Sequence, residues 1–481
     1  MSDEKVKGAG KEPLERVRIG LEVHVQLKTN TKLFCTCPTD YRDAEPNSNI
    51  CPVCTAQPGS KPNGLNATAL DAIVRIALFI GCRVIKGEEV RMLRKHYFYP
   101  DLPSNYQRTS LPVGVDGRFA SIRIREVHLE EDPGRYELRD GQVDYNRSGI
   151  PLVEIVTEPD MSTPQEARDF LRALSLALSY LGVARDEPGS MRCDANVSVG
   201  EGTRVEVKNI NSFKGVYRAL DSEIRRHRRF QRFGKRVVRE TRHWDEAKMI
   251  TIPLRKKEGA ADYRFIPDPD VPPLVIDNAL VTRLEEGLPE RPTEKEARFV
   301  KRYGLDPYTS SVLVLDLEVA DLFEKVAKRT DPVTAAAWLK DELRRVLNYN
   351  NLRLSETTIT ADEIVEVLKL FRDGTITDLT ARRLFEWLAA EPRSIRQLIG
   401  RLGLGRIAGE DELTRMARQV IEDHPKAVDD YLDGKVNSLN FLVGMVMKTS
   451  GGKSDPKLTR DALEKLLGAE RLRRAGDSVL S

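Results

Sequence analysis

The chain has 481 residues, with 77 Lys and Arg against 74 Asp and Glu, a formal net charge of +3 and 6% aromatics. This is an ordinary globular composition, long enough for two or three domains, and its near-neutral charge leaves any case for nucleic acid to local clusters. The longest apolar run, "AIVRIALFIG", is short and interrupted by Arg75, which excludes a spanning segment.

Residues 1–16, "MSDEKVKGAGKEPLER", carry no apolar core and read as a polar, disordered lead-in, not a signal peptide. "IGLEVHVQL" follows, with Ile19, Leu21, Val23, Val25 and Leu27 alternating against Glu22, His24 and Gln26. Period two over this length predicts a half-buried strand, with a carboxylate and an imidazole on its wet side. Next comes "FCTCPTDYRDAEPNSNICPVC". Four of the six cysteines, Cys35, Cys37, Cys51 and Cys54, fall here, and two pairs of thiols at this spacing predict a closed, structural zinc site. Such clustering also points to a reducing, cytoplasmic compartment.

"ATALDAIVRIALFIG" predicts a helix closing at Gly81. "RKHYFYPDLPSNYQRTS" interleaves Arg94, Lys95, His96 and Arg108 with Tyr97, Phe98, Tyr99 and Tyr106, a mixture suited to neutralising a backbone and stacking bases. "EVHLEED" gathers Glu130, Glu131 and Asp132, and "IPLVEIVTEPD" sets Glu154 between apolar neighbours. A buried carboxylate needs a partner. Either an arginine such as Arg147 or Arg192 supplies it, or Glu22, His24, Glu131 and Glu154 form an oxygen-rich magnesium site.

A second helix is predicted from Thr163-Pro164-Gln165-Glu166, by a threonine cap, proline at the first helical position and glutamate three after the cap, to Gly182. "MRCDANVSVG" and "RVEVKNI" repeat the habit of the first strand, with Arg192, Asp194 and Asn196, then Glu206 and Lys208, on the wet side. Carboxylates, an amide and cations on one face suit a hard cation and phosphate oxygens. The third helix, Gly215 to about Phe233, leads a run of ten basic residues from Arg218 to Arg242, lopsided enough to suggest a phosphate backbone. "PLRKKEGAADYRFIPDPDVPPL" then collects Arg255, Lys256, Lys257 and Arg264 before a proline-rich exit. Beyond it only helical periods remain, with a glycine-rich joint near residue 405.

The strands come in runs and no glycine-rich phosphate loop follows any of them, which predicts an α+β fold with a mainly antiparallel sheet. The expected order is a cradle domain over 17–289 with a zinc-binding insertion, a helical domain over 290–405 and a helical tail over 406–481.

These motifs, together with "DYNRSGIPLVEIVTEPD", "VEVKNINSF" and "LVGMVMKTSGGKSDPKL", resemble the B-subunit family of the aspartyl/glutamyl-tRNA amidotransferases. The related E subunit has an extra inserted domain, for which there is no room before the helical part. The resemblance implies an enzyme subunit that uses ATP and magnesium to phosphorylate the side chain of Asp on tRNA(Asn), or of Glu on tRNA(Gln). Ammonia from a glutaminase A subunit then displaces the phosphate, and a small C subunit completes a heterotrimer. Glu22, His24, Glu131 and Glu154 would hold magnesium and the four cysteines zinc. Arg192, Asp194 and Lys208 would join the catalytic group, with Arg192, Asn196, Lys208, Arg255 and Arg264 as ATP contacts. The helical tail would bind the misacylated tRNA. No Ser-Lys nucleophile pair is apparent, so no glutaminase activity is expected from this chain alone. The competing reading is a non-catalytic, zinc-dependent tRNA-binding protein whose acidic strand faces are structural.

Overall fold

The computed structural model describes residues 15–87, 89–137, 140–256, 264–390, 395–402 and 410–477. They fall into two compact units, Met1–Arg291 and Pro292–Ser481. The first is α+β and is organised by one twelve-stranded sheet. Ten of its strands form a continuous path. They are β1 (Val17–Gln26), β2 (Met92–His96), β3 (Tyr106–Ser110), β4 (Ile122–Glu131), β5 (Pro151–Thr157), β6 (Met191–Val199), β7 (Val205–Ile210), β8 (Glu240–Asp245), β9 (Ile250–Lys256) and β10 (Arg264–Pro267). Across the sheet they run β9-β8-β7-β6-β1-β5-β4-β3-β2-β10, so the strand that opens the fold lies in the middle.

Alternation along β1 is what fixes that position. Ile19, Leu21, Val23 and Val25 are all at most 1% exposed, and Cys193, Ala195, Val197, Val205 and Val207 continue the same apolar face across β6 and β7. A one-residue slip would turn all of these to the wet side, so burial of this face holds the register. Three helices, α1 (Ala67–Phe79), α2 (Pro164–Leu181) and α3 (Phe213–Arg232), cover it, α1 and α3 touching the strands and α2 touching both. Their ends follow the sequence closely. Thr163 Oγ1 accepts from Glu166 N, the Glu166 carboxylate accepts from Ser162 N, and Gly182 closes α2 in the left-handed region at φ 64°.

One pair departs from the antiparallel expectation. β7 and β8 are parallel, with Glu206 opposite Thr241 and Lys208 opposite His243. The cause is α3, which carries the chain from the end of β7 back to the start of β8, as a parallel pair requires. Recognising a βαβ unit only by a glycine-rich loop misses this one.

The second unit is helical throughout its described residues. Asp306, Asp316, Asp331 and Thr360 each cap a helix start with their side chains. Two separate apolar cores hold it. One is built around Phe299, Phe323, Trp338 and Phe385, the other around Leu413, Ala417, Leu442 and Leu463. Among the described residues no helix is long and apolar enough to cross a membrane.

Candidate active site and metal centre

The polar face of the sheet is assembled by register. β1 sets Glu22 opposite Asp194 and His24 opposite Arg192 on β6, and on its other side His24 opposite Glu154 of β5. β5 in turn sets Glu154 opposite His128 and Leu152 opposite Glu130 on β4. Each of these candidate residues therefore sits on a strand flanked by strands.

Two neighbouring groups result. In the first, carboxylate oxygens of Glu22, Asp194 and Glu206 lie within 4.8 Å of one another. Asn196 Nδ2 donates to Glu22 Oε1 at 2.9 Å, and Lys208 Nζ lies 2.6 Å from Asp194 and 2.8 Å from Glu206. In the second, His24 Nε2 is 3.5 Å from Glu154 Oε1 and 3.9 Å from Glu130 Oε2, and Gln107 Nε2 donates to Glu130 at 3.1 Å.

The electrostatics follow from the crowding. Burial raises the Glu22 carboxyl above its ordinary value, and the charges of Glu154 and Glu206 raise it further. Glu130 is raised by burial and then by Glu154. Burial works against Glu154 too, but the hydrogen bond and charge of His24 bring it down to about 2. Burial disfavours the His24 cation, yet Glu154 and Glu130 raise its pKa overall. Burial lowers Lys208, and Asp194 and Glu206 more than restore it.

Glu131 does not join this group. It follows Glu130 by one residue on β4 and so faces the other way, where Arg108 Nη1 meets it at 3.2 Å and Asp268 meets Arg108 Nε at 2.7 Å. The parity was visible in "EVHLEE", where Glu130 is in phase with Glu126 and His128 and Glu131 is not. Arg192 lies on the polar face, tied through Nη2 to Asp132 Oδ1 at 2.5 Å, while Gln26 holds the other oxygen of Asp132 at 2.5 Å. Burial would raise Asp132, and Arg192 and Arg147 more than offset it. The sequence sets Glu206 on the wet face and Asp132 in an acidic cluster but gives neither a site role, and the structure brings them to Lys208 and Arg192. Glu206 is two residues from Lys208 on one strand, a signal available in "VEVK".

Arg264 is exposed on β10 opposite His96, Arg255 takes part in β9 opposite Thr241, and Lys257 lies outside the described residues. The aromatic-basic segment forms β2 and β3 with the turn between them. Arg94 and Arg108 lie over the Tyr106 ring, whereas Phe98 is 85% exposed. In the basic run, Arg226 and Arg242 turn inward to buried Glu223 and Glu240.

Hard oxygen donors fit the polar face. Glu130 Oε1 and Asn196 Oδ1 are buried without a hydrogen-bond partner among the described residues, and a raised, crowded carboxyl set is what a divalent cation relieves. The four cysteines fit a soft ion. Their sulfurs all lie within 4.8 Å of one another, against ~3.8 Å between ligands of an ideal tetrahedral zinc thiolate. A hydrogen bond to Cys54 and burial raise the Cys35 thiol, burial raises Cys37 to about 11, and the hydrogen bond from Cys35 with the nearby Lys32 lowers Cys54 to about 4.

Comparison with known proteins matches residues 17–282 to the GatB/GatE catalytic domain and residues 321–467 to the GatB domain. The chain is 50% identical over 448 residues to the B subunit of the aspartyl/glutamyl-tRNA(Asn/Gln) amidotransferase of Methanothermobacter thermautotrophicus, covering 93% of this chain and 99% of that protein. The proteins of the same name from Methanobrevibacter smithii and Methanocaldococcus jannaschii are 49% and 47% identical, covering 91% and 94% of this chain and 97% and 98% of theirs.

Proposed function

The chain belongs to the family of aspartyl/glutamyl-tRNA(Asn/Gln) amidotransferase B subunits, and from that premise we infer that its polar sheet face activates the misacylated amino acid. It is a component of a ligase-type, tRNA-dependent amidotransferase, and the non-catalytic reading lacks such support. The substrates are Asp-tRNA(Asn) or Glu-tRNA(Gln). A side-chain carboxylate resists ammonia, because the nucleophile meets negative charge and oxide does not leave. Transfer of a phosphoryl group from ATP to the carboxylate oxygen supplies the leaving group, and attack by ammonia then yields the amide and phosphate.

Glu22, His24, Glu154 and, in place of Glu131, Glu130 would hold magnesium, which would supply charge neutralisation at phosphate oxygens, with Glu22 also belonging to the close carboxylate group of Asp194 and Glu206. Asp194 and Glu206 keep Lys208 charged and fixed, so that its ammonium faces the phosphates without reorganising. Asp132 does the same for Arg192, and Asn196 orients Glu22. Arg255 on β9 and Arg264 on β10, expected as ATP contacts, lie at opposite ends of the strand path and are not assigned to one ATP. The four cysteines hold structural zinc. Ammonia comes from a glutaminase A subunit, a small C subunit completes a heterotrimer, and the tail over 406–481 grips the tRNA.

The observation that carries this reading is the pair of orphaned oxygens, Glu130 Oε1 and Asn196 Oδ1, beside carboxyls held above their ordinary range. The test reconstitutes the chain with A and C subunits, ATP, magnesium and Asp-tRNA(Asn). Glu154→Gln is expected to bind tRNA and form no amide. Full amide formation by that variant would refute the assignment.

A further inference from the structure

Lys32 is 1% exposed, one of the most deeply buried charged side chains in the molecule. An ammonium removed from water needs an anion nearby and a hydrogen bond for each proton. The three protons of Lys32 Nζ have three acceptors: Asn49 O at 2.9 Å, Tyr145 O at 3.3 Å and Cys54 Sγ at 3.4 Å. None of these is a carboxylate, and among the described residues Lys32 forms no ion pair with Asp or Glu. The negative group it faces is therefore the sulfur cluster. A divalent ion ringed by four thiolates carries a net charge of about −2, and a buried cation in hydrogen-bond contact with one of them offsets part of it.

The surroundings are shaped for this contact. The Lys32 backbone N–H donates to Cys37 O at 3.1 Å, so the residue is part of the first cysteine loop. Cys51 N–H donates to Cys54 Sγ at 3.2 Å, giving that sulfur two donors. Gly149 crosses above the lysine stem in the left-handed region, at φ 82°. A Cβ there would lie 3.6 Å from Cys54 Cβ, 3.6 Å from Glu131 Oε1 and 3.7 Å from Lys32 Cδ, and that carboxylate is engaged by Arg108 at 3.2 Å. Tyr145, which takes the second proton, belongs to the segment that leads into β5.

We propose that Lys32 is the built-in counter-ion of the four-cysteine metal site, a positioning residue whose ammonium stabilises the metal thiolates through Cys54 and fastens the cysteine loops to the segment before β5. The proposal rests on the zinc reading above.

The test uses the full chain and a chromophoric chelator competing for zinc. Wild type is expected to hold one zinc. K32M, close in volume but uncharged, is expected to bind about 10–100-fold more weakly. K28M, at an exposed lysine four residues away, is expected to match wild type. With cobalt in the site, the sulfur-to-metal charge-transfer band of K32M is expected at lower energy, because its sulfur has lost a cationic donor. An unchanged affinity and band in K32M would overturn the proposal while leaving zinc in place. A wild-type chain that binds no zinc would remove the zinc reading and the proposal together. If K32M does not fold, K32Q carries the same measurement with an uncharged donor. Failure of both to fold in saturating zinc would make Lys32 a packing residue and also overturn the assignment.

Discussion

The first unit contains two buried clusters of carboxylate, histidine and cation, on opposite sides of one sheet, and they are built to opposite ends. Beneath α3, Glu223 is fully buried. It takes hydrogen bonds from Arg226 at 2.8 Å, His227 at 3.1 Å and Thr251 at 2.7 Å, with Arg242 at 3.6 Å. Burial alone would raise its carboxyl, but His227 and Arg226 bring it down to about 2. The group left over is His227 Nδ1, a ring nitrogen and not a carboxylate oxygen. On the polar face, by contrast, Glu22 and Glu130 are crowded by other carboxylates and lifted above their ordinary range, with a carboxylate oxygen unsatisfied. Residue types do not separate a structural cluster from a functional one. The balance of charge and hydrogen bonds does: the carboxylate of the first is fully partnered, and the second leaves a carboxylate oxygen unsatisfied, which supports the proposed metal role.

That contrast is breakable by substitution. Glu223→Gln removes one partner from a closed, buried ion network and is expected to destabilise the chain by about 3–5 kcal/mol in denaturant unfolding, with amide formation per folded molecule unchanged. Glu22→Gln, at a carboxyl that burial and its neighbours already lift, is expected to do the reverse. It should lose about 10²–10³-fold in amidation rate, with a melting temperature near wild type. A smaller effect separates adjacent glutamates. Glu130→Gln is expected to lower amidation about 10-fold or more at fixed magnesium, whereas Glu131→Gln is expected to act on stability through Arg108, leaving the magnesium dependence unmoved. If Glu131→Gln proves the more damaging to magnesium dependence, the parity argument on β4 is wrong.

The weakest effect is on pH dependence in the absence of metal. The folded Glu22 carboxyl is raised, so its contribution to stability is complete at low pH and is lost as pH climbs through the folded value. Glu223 is depressed. It contributes above the ordinary glutamate value of about 4.3 and its contribution is lost as pH falls toward about 2. In chelator, Glu22→Gln is therefore expected to flatten the decline of stability above about pH 4.3, and Glu223→Gln to flatten the decline below it. Urea midpoints across pH check both.

Much of this contrast was legible in the sequence, and the illegible part has a physical reason. Alternation in "IGLEVHVQL" and "MRCDANVSV" placed Glu22, His24, Asp194 and Asn196 on one face, because period two fixes sidedness without any tertiary knowledge. The cap and closing glycine of α2 were equally local. Glu130 needed one further step, counting parity from His128. The ten basic residues from Arg218 to Arg242 were the harder case. Read as a run they suggest a phosphate partner, yet Arg226 and Arg242 serve Glu223 and Glu240, acids brought together by the β7–α3–β8 crossover. Pairing across a crossover leaves no periodic trace. Arg192 was legible as a face residue, but its tie to Asp132, sixty positions away, was not.

The most direct test compares Glu22→Gln with Glu223→Gln in the reconstituted complex, at a temperature where both are folded, following ammonia- and ATP-dependent conversion of Asp-tRNA(Asn) to Asn-tRNA(Asn). The account predicts that Glu22→Gln binds tRNA with wild-type affinity and forms about 1% or less of the wild-type amide, while Glu223→Gln turns over normally. Amide formation by Glu22→Gln within about twofold of wild type would contradict the claim that the polar face of the sheet carries the chemistry.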